Sequence, residues 1–362
     1  MKTCIDTFEA GLNDLTRFLA NAERETELVK SLRSEARQSS LTPYEKCLLS
    51  EIAGVGTSKR RYVYTVAIVG LYGLLERLVD SILENYIGII SALVDRYDDL
   101  PEGLKKNHVN LSMELVKAVS EERHRGDLTA SQIIANLHSC LSGDSIFRVN
   151  APAFVLHRGN ITLRKAREFL TALGIEAPAR RILIMPAFAK YFAAADPPVD
   201  IQSFQDAGLE RLLAPIDDLV ERRNSVAHGI IDIDDIETVD LLNKRCLFIA
   251  TFADALHEVL QQELLSIETT CRHSQSLGRP LAVFNDHIVC FNSDKCRIAV
   301  GDRIVAATGD ALLPFRWSAV INLEVNHTRY QSLDITSTTQ FGVEVGFNAR
   351  KNHDYFLLLE RP

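Results

Sequence analysis

Leu219-Val-Glu-Arg-Arg-Asn-Ser-Val-Ala-His-Gly229 leads directly into Ile230-Ile-Asp-Ile-Asp-Asp-Ile-Glu237, with long apolar-periodic segments on both sides. Upstream, apolar residues recur at helical spacing from about Phe204 to Ala227, and Gly229 supplies the stop. Downstream the same period resumes from Asp235 to about Thr269. Asp234, followed three residues later by Glu237, resembles a capping box with Asp in place of the usual Ser or Thr. The expectation is helix, tight break and helix, with His228 at the break.

Working outward, residues 1–271 keep the helical period, with turn signals between long segments. A first helix is expected from Ile5 to about Ala36, and Thr42-Pro43 opens a short one, since proline suits a first helical turn. A long helix runs from about Lys59 to Tyr97; its first half is apolar nearly all round, as in the centre of a bundle. Pro101-Glu-Gly breaks the pattern, and shorter helices follow at Leu111–Arg123, Thr129–Leu141 and Ile161–Leu173. From about His273 the texture changes to short β-branched and aromatic runs between Gly, Asn and Asp turns. Expected strands are Leu281–Phe284, His287–Phe291, Arg297–Ala299, Arg303–Ala307, Ala319–Val325, Gln331–Ile335, Gly342–Phe347 and Tyr355–Leu359. The fold class is therefore mainly α: a helical domain over residues 1–271, then a small all-β barrel or sandwich over 272–362.

Composition narrows the classes. With 46% hydrophobic and 24% charged residues, neither disorder nor a fibre is indicated. Charges throughout the first thirty residues leave no signal-peptide core, and the apolar run Tyr62–Leu75 is too short to span a bilayer, so a cytoplasmic protein without membrane attachment is expected. Seven cysteines without a CxxC pair suggest neither a zinc knuckle nor a disulfide framework, and His287, His327 and His353 are too dispersed for a metal site. No phosphate-binding loop is present, so no cofactor is expected. The net charge is −8; residues 272–362 hold 10 Lys+Arg against 9 Asp+Glu, which places all of the acidity in the helical part. Any nucleic acid must then be gripped locally rather than wrapped.

Arg223, Asn224 and His228 are the candidate chemical residues. At about 100° per residue Asn224 and His228 share a helix face, and Arg223 lies beside it with a long side chain. A guanidinium binds phosphate oxygens bidentately and keeps its proton, while an imidazole exchanges one near neutrality. Those two groups suffice to cleave RNA, because the ribose 2′-OH is a nucleophile carried by the substrate. An exposed arginine and a capping histidine one turn apart are also ordinary structure. Here, however, this is the only place in the chain where an Arg precedes a His by five to seven residues, and Asn directly follows Arg223; the spacing of Arg222 to His228 also fits the broader motif.

Leu219–Gly229 resembles the signature of HEPN domains, an Arg, four to six residues and a His, and is closest to the RiboL-PSP-like branch with its Arg-Asn and apolar-Ala-His-Gly ending. Tyr72-Gly-Leu-Leu-Glu76 is similar to the aromatic-plus-glutamate segment of the family's earlier core helix. Arg158-Gly-Asn-Ile-Thr162 and Leu173-Gly-Ile175 are similar to its intervening region. The resemblance covers about Ile5 to Thr269 and implies a HEPN-type helical bundle that dimerises and brings two Arg/His motifs into one cleft for RNA. Family members act as toxins, phage-defence nucleases and RNA-processing factors, and some only bind.

Around the catalytic pair Arg223 and His228, four supporting residues stand out: Asn224, Glu76, Arg222 and Tyr72. Glu76 interrupts an apolar helix, either in water at a bundle edge or holding Arg223 or His228, as the family's helix glutamate would. Arg222 reads as a solvated neighbour, and His124 within Glu121–Gly126 as part of an exposed helix end. Phe284, Phe291, Phe315, Trp317, Phe341 and Phe347 suit the core of the β part better than base stacking. The expected partners are RNA (tRNA or mRNA), a second copy of the chain, and an antitoxin or regulatory protein. The alternative is a non-catalytic scaffold or RNA-binding module that recruits a protein partner.

Overall fold

A computed structural model describes residues 1–36, 42–121, 128–156, 159–195, 197–201, 206–232, 234–270, 274–311 and 313–358. Among the described residues eleven α-helices precede ten strands: α1 Lys2–Ala36, α2 Pro43–Gly54, α3 Gly56–Leu93, α4 Glu102–Ser120, α5 Ala130–Leu141, α6 Leu163–Ala172, α7 Pro178–Ile184, α8 Pro186–Ala193, α9 Asp206–Leu212, α10 Ala214–Ala227 and α11 Val239–Thr270. The strands are β1 Ser274–Gly278, β2 Ala282–Phe284, β3 Ile288–Ser293, β4 Cys296–Ala299, β5 Arg303–Ala307, β6 Phe315–Val325, β7 Thr328–Tyr330, β8 Ser332–Ile335, β9 Thr339–Val345 and β10 Asp354–Leu358. The chain divides into two compact units, residues 1–85 with 151–257, and residues 86–150 with 258–362. Among the described residues no helix is long and apolar enough to cross a membrane.

The first unit is all helical. Its core includes Ile68, Leu71, Leu75, Leu78 and Ile82 of α3, all at most 2% exposed, with Phe8 and Leu19 of α1. A side chain at Gly11 would overlap Leu74, so the absence of one there lets α1 approach α3. Phe188 of α8 stacks on Phe192 at 5.6 Å and meets Phe248 of α11 edge-on at 5.5 Å. Such apolar burial, worth roughly 25 cal/mol per Å², is what orders these helices.

In the second unit α4 and α5 enclose a polar knot. His108 is fully buried; its Nε2 accepts from the backbone N–H of Asn150 at 3.1 Å and its Nδ1 lies 3.0 Å from the Tyr97 hydroxyl. Asn150 in turn donates to Ser112 and to the carbonyl of Ile133. The strands form an antiparallel half-barrel in the order β1-β10-β5-β6-β9-β3-β2, with β7 on β6 and a separate β4-β8 ribbon. Val289, Phe291, Val320, Leu323, Val343 and Tyr355 fill it, and Ile298 and Ile335 of the ribbon join the same core. The last turns of α11 lie on its other face: Leu265 clusters with Val305 and Leu358, and Gln262 both donates to and accepts from the backbone of Phe315. The fold is thus mainly α, a helical bundle followed by a small antiparallel β structure.

Several boundaries differ from those expected. The helix expected over 204–227 breaks at Leu213, because Pro215 removes a donor and disfavours helical backbone before it; Phe204 lies outside the described residues. Asp234 and Glu237 form no capping box: the Thr238 hydroxyl accepts from Leu241 N–H, and Glu237 is engaged by Arg245. Pro101 opens α4 rather than separating segments, so that helix starts nine residues before Leu111; Arg123 is not among the described residues. α3 ends at Leu93, and Tyr97 belongs to a separate 3-10 turn. Ile161 and Thr162 precede α6, where the Thr162 hydroxyl caps Lys165 N–H. Helices α7 and α8, each entered through a proline, and strands β1 and β7 were not anticipated. Leu359, His124 and Arg158 also fall outside the described residues.

Candidate functional site

α10 carries the decisive segment and ends in a well-defined cap. His228 is the C-cap residue, Gly229 takes φ +70, and the N–H groups of Gly229 and Ile230 return to the carbonyls of Val226 and Ser225 at 3.1 and 2.9 Å. This is a Schellman closure, and the left-handed backbone it needs is why glycine stands at 229. His228 is held through its backbone, which donates to Asn224 O at 3.0 Å, while its imidazole is exposed. Among the described residues that ring makes no hydrogen bond.

One turn back, Arg223 is half-buried. Its guanidinium carbon lies 5.2 Å from the centre of the Tyr72 ring, and Nη1 donates to Asn224 Oδ1 at 3.2 Å. A cation against an aromatic face is attracted by the ring quadrupole, and one face of the fork is thereby fixed. Tyr72 is 2% exposed; its hydroxyl donates to Glu76 Oε1 at 2.9 Å and accepts from the backbone N–H of Ile161 at 2.9 Å. Burial pushes the Tyr72 phenol up to about 12, so it remains a neutral donor. Glu76, expected either in water at a bundle edge or holding Arg223 or His228, accepts from the Tyr72 hydroxyl, whose ring lies against Arg223.

A residue from a distant segment joins the group. Asn160 Nδ2 donates to Asn224 Oδ1 at 2.6 Å, and the chain just after it is tied down by Ile161 N–H on Tyr72 and by Leu163 N–H on Asp217 Oδ1 at 2.7 Å. In the sequence Asn160 stands out only as part of the family-like segment Arg158–Thr162, since a pairing across 64 positions leaves no local signal.

Arg222, expected as a solvated neighbour, faces the other way into a network of ion pairs. It bonds Asp218 at 3.1 Å, Tyr64 OH at 3.1 Å and the carbonyl of Asp235 at 3.3 Å, and stands 3.5 Å from Glu237. Arg245 completes the network, bidentate to Glu237 and paired with Asp218. Burial opposes the Asp218 charge, but the bonds and field of Arg245 and Arg222 outweigh it and hold its carboxyl below the usual range. The network ties α10 to α11 across the segment that follows His228.

The structure thus brings together Arg223, Asn224, Tyr72, Glu76 and Asn160, sets His228 one turn beyond with a free ring edge, and turns Arg222 away. Among the described residues no cluster of three His, Cys, Asp or Glu side chains is placed to hold a metal ion. A RiboL-PSP-HEPN family model matches residues 24–262, about two thirds of the chain. The chain belongs to the RiboL-PSP-HEPN family. That match runs from within α1 to within α11 and contains every residue of the cluster; the strands of this HEPN protein lie beyond it. No curated protein matches the chain.

Proposed function

We propose that this HEPN protein is a metal-independent endoribonuclease that uses the 2′-OH of its substrate, with Arg223 and His228 as its catalytic pair. The observation that carries the reading is the Arg223 guanidinium, pinned between the Tyr72 ring and Asn224, one turn before an exposed imidazole. Arg223 clamps the phosphate; a base takes the 2′ proton; the 2′ oxygen attacks phosphorus. The bond to the 5′ oxygen breaks, that oxygen takes a proton from an acid, and a 2′,3′-cyclic phosphate remains. Each chain offers one such imidazole, so a two-fold dimer joined through the helices flanking Gly229 supplies both acid and base. Ile230, 73% exposed beside His228, suits such an interface.

Toxin, phage-defence or RNA-processing roles, a cytoplasmic setting, a tRNA or mRNA target and an antitoxin or regulatory partner all belong to this reading. Total RNA incubated in EDTA with the intact protein and with His228→Ala tests it. Cyclic-phosphate ends made only by the intact protein support it, and equal cleavage by both refutes it. Mixing Arg223→Ala with His228→Ala subunits should restore part of the activity if two chains share the site. The net charge of −8 favours the alternative, a scaffold that recruits a protein partner; RNA binding without cleavage under any condition would select it.

A further inference from the structure

The loop residue Asn160 makes a bond that its own segment does not need. Gly159-Asn160-Ile161-Thr162 is already fixed by two backbone donors, Ile161 N–H on Tyr72 and Leu163 N–H on Asp217, and by the Thr162 cap of α6. The amide-to-amide bond from Asn160 to Asn224 adds about 1 kcal/mol at most at a half-exposed position. Its geometric effect is larger. Asn224 Oδ1 accepts from both Asn160 Nδ2 and Arg223 Nη1, which fixes the orientation of both amides. Among the described residues no further bond is made by Asn160 Oδ1 or by Asn224 Nδ2. Asn160 Oδ1 and Asn224 Nδ2 are thus an acceptor and a donor on two bonded amides, one of which also accepts from the Arg223 guanidinium.

We propose that Asn160 is a substrate-contacting residue, and that its Oδ1, paired with Asn224 Nδ2, receives a ribose 2′-hydroxyl next to the phosphate held by Arg223. A hydroxyl both donates and accepts, so it satisfies the two groups at once; a deoxyribose leaves both unmet. A base edge also presents adjacent donors and acceptors, but the neighbour of this pair is a phosphate clamp, and the group nearest a backbone phosphate is the sugar. This rests on the proposed RNA reading and deepens it, since it makes the amide pair the element that distinguishes RNA from DNA.

The test measures binding without cleavage, in the His228→Ala protein, by fluorescence anisotropy with single-stranded oligouridine and its deoxyuridine counterpart. The protein should prefer the ribose form by about tenfold, the worth of roughly one well-placed hydrogen bond. Adding Asn160→Ala should lower ribose binding to the deoxyribose level, leave deoxyribose binding within about twofold, and leave the melting temperature nearly unchanged. Equal weakening of both oligonucleotides, or an undiminished ribose preference, overturns the assignment while leaving the Arg223 clamp standing. Arg223→Ala separates the two readings, because it should weaken ribose and deoxyribose forms alike. Failure of the His228→Ala protein to bind either form overturns the nucleic-acid reading and the amide pair together.

Discussion

Acid should destabilise the second compact unit through His108 in particular. The ring is fully buried, and burial lowers its pKa to about 4 from an ordinary value of 6.5. Its Nε2 accepts from Asn150 N–H, so a proton added there would face a donor and break the bond. Between pH 6.5 and 4 the unfolded chain binds a proton at this position that the folded chain does not; the stability it contributes is present above 6.5 and is lost as pH falls. Full loss amounts to about 3 kcal/mol, and about 2 kcal/mol is already gone near pH 5. His257 and His353 are also lowered by burial and act in the same direction, so the wild-type slope alone does not isolate His108. His108→Gln keeps an acceptor and a donor in the cavity without titrating. Urea denaturation of both proteins at about pH 7.5 and about pH 5 should show the wild type losing about 2 kcal/mol more than the variant. Equal losses would refute the buried neutral imidazole.

Glu237→Ala leaves Arg245 and Arg222 with Asp218 as their shared carboxylate and should cost about 2 kcal/mol in thermal or chemical unfolding; no change would mean the network is solvated. Tyr72→Phe keeps the ring under Arg223 but strands the Ile161 N–H, so stability should fall by about 1–3 kcal/mol while oligonucleotide binding is largely kept. Leu265→Ala removes a fully buried side chain from the contact of α11 with β5 and β10, and should cost about 2–4 kcal/mol, read as a lower urea midpoint.

The helical part and most strands were legible because their periods are local. Gly229 announced the end of α10, and the turn signals between runs gave eight of the ten strands, because both act over a few residues. What was hidden depends on distance or on competition. Asp234 and Glu237 have the spacing of a cap, but Arg245, eight residues further along, offers Glu237 a charged partner instead. The helices entered through Pro178 and Pro186 are too short for their period to stand out. At the candidate site Arg223, Asn224 and His228 were readable from spacing, and Tyr72 and Glu76 from family likeness. Which side Arg222 faces, and the arrival of Asn160, are decided by tertiary packing.

Arg222 and Arg223 are chemically identical neighbours with opposite duties, one locked into ion pairs and the other stacked beside Asn224. Only helical phase tells them apart. Deleting a single residue between Pro215 and Arg222 would advance each side chain into its predecessor's azimuth. Arg223 would then enter the ion-pair network, and Asn224 would lie on the Tyr72 ring. The composition of the site would be intact and its addresses wrong, so α10 should tolerate substitutions on its exposed side far better than any change in its length.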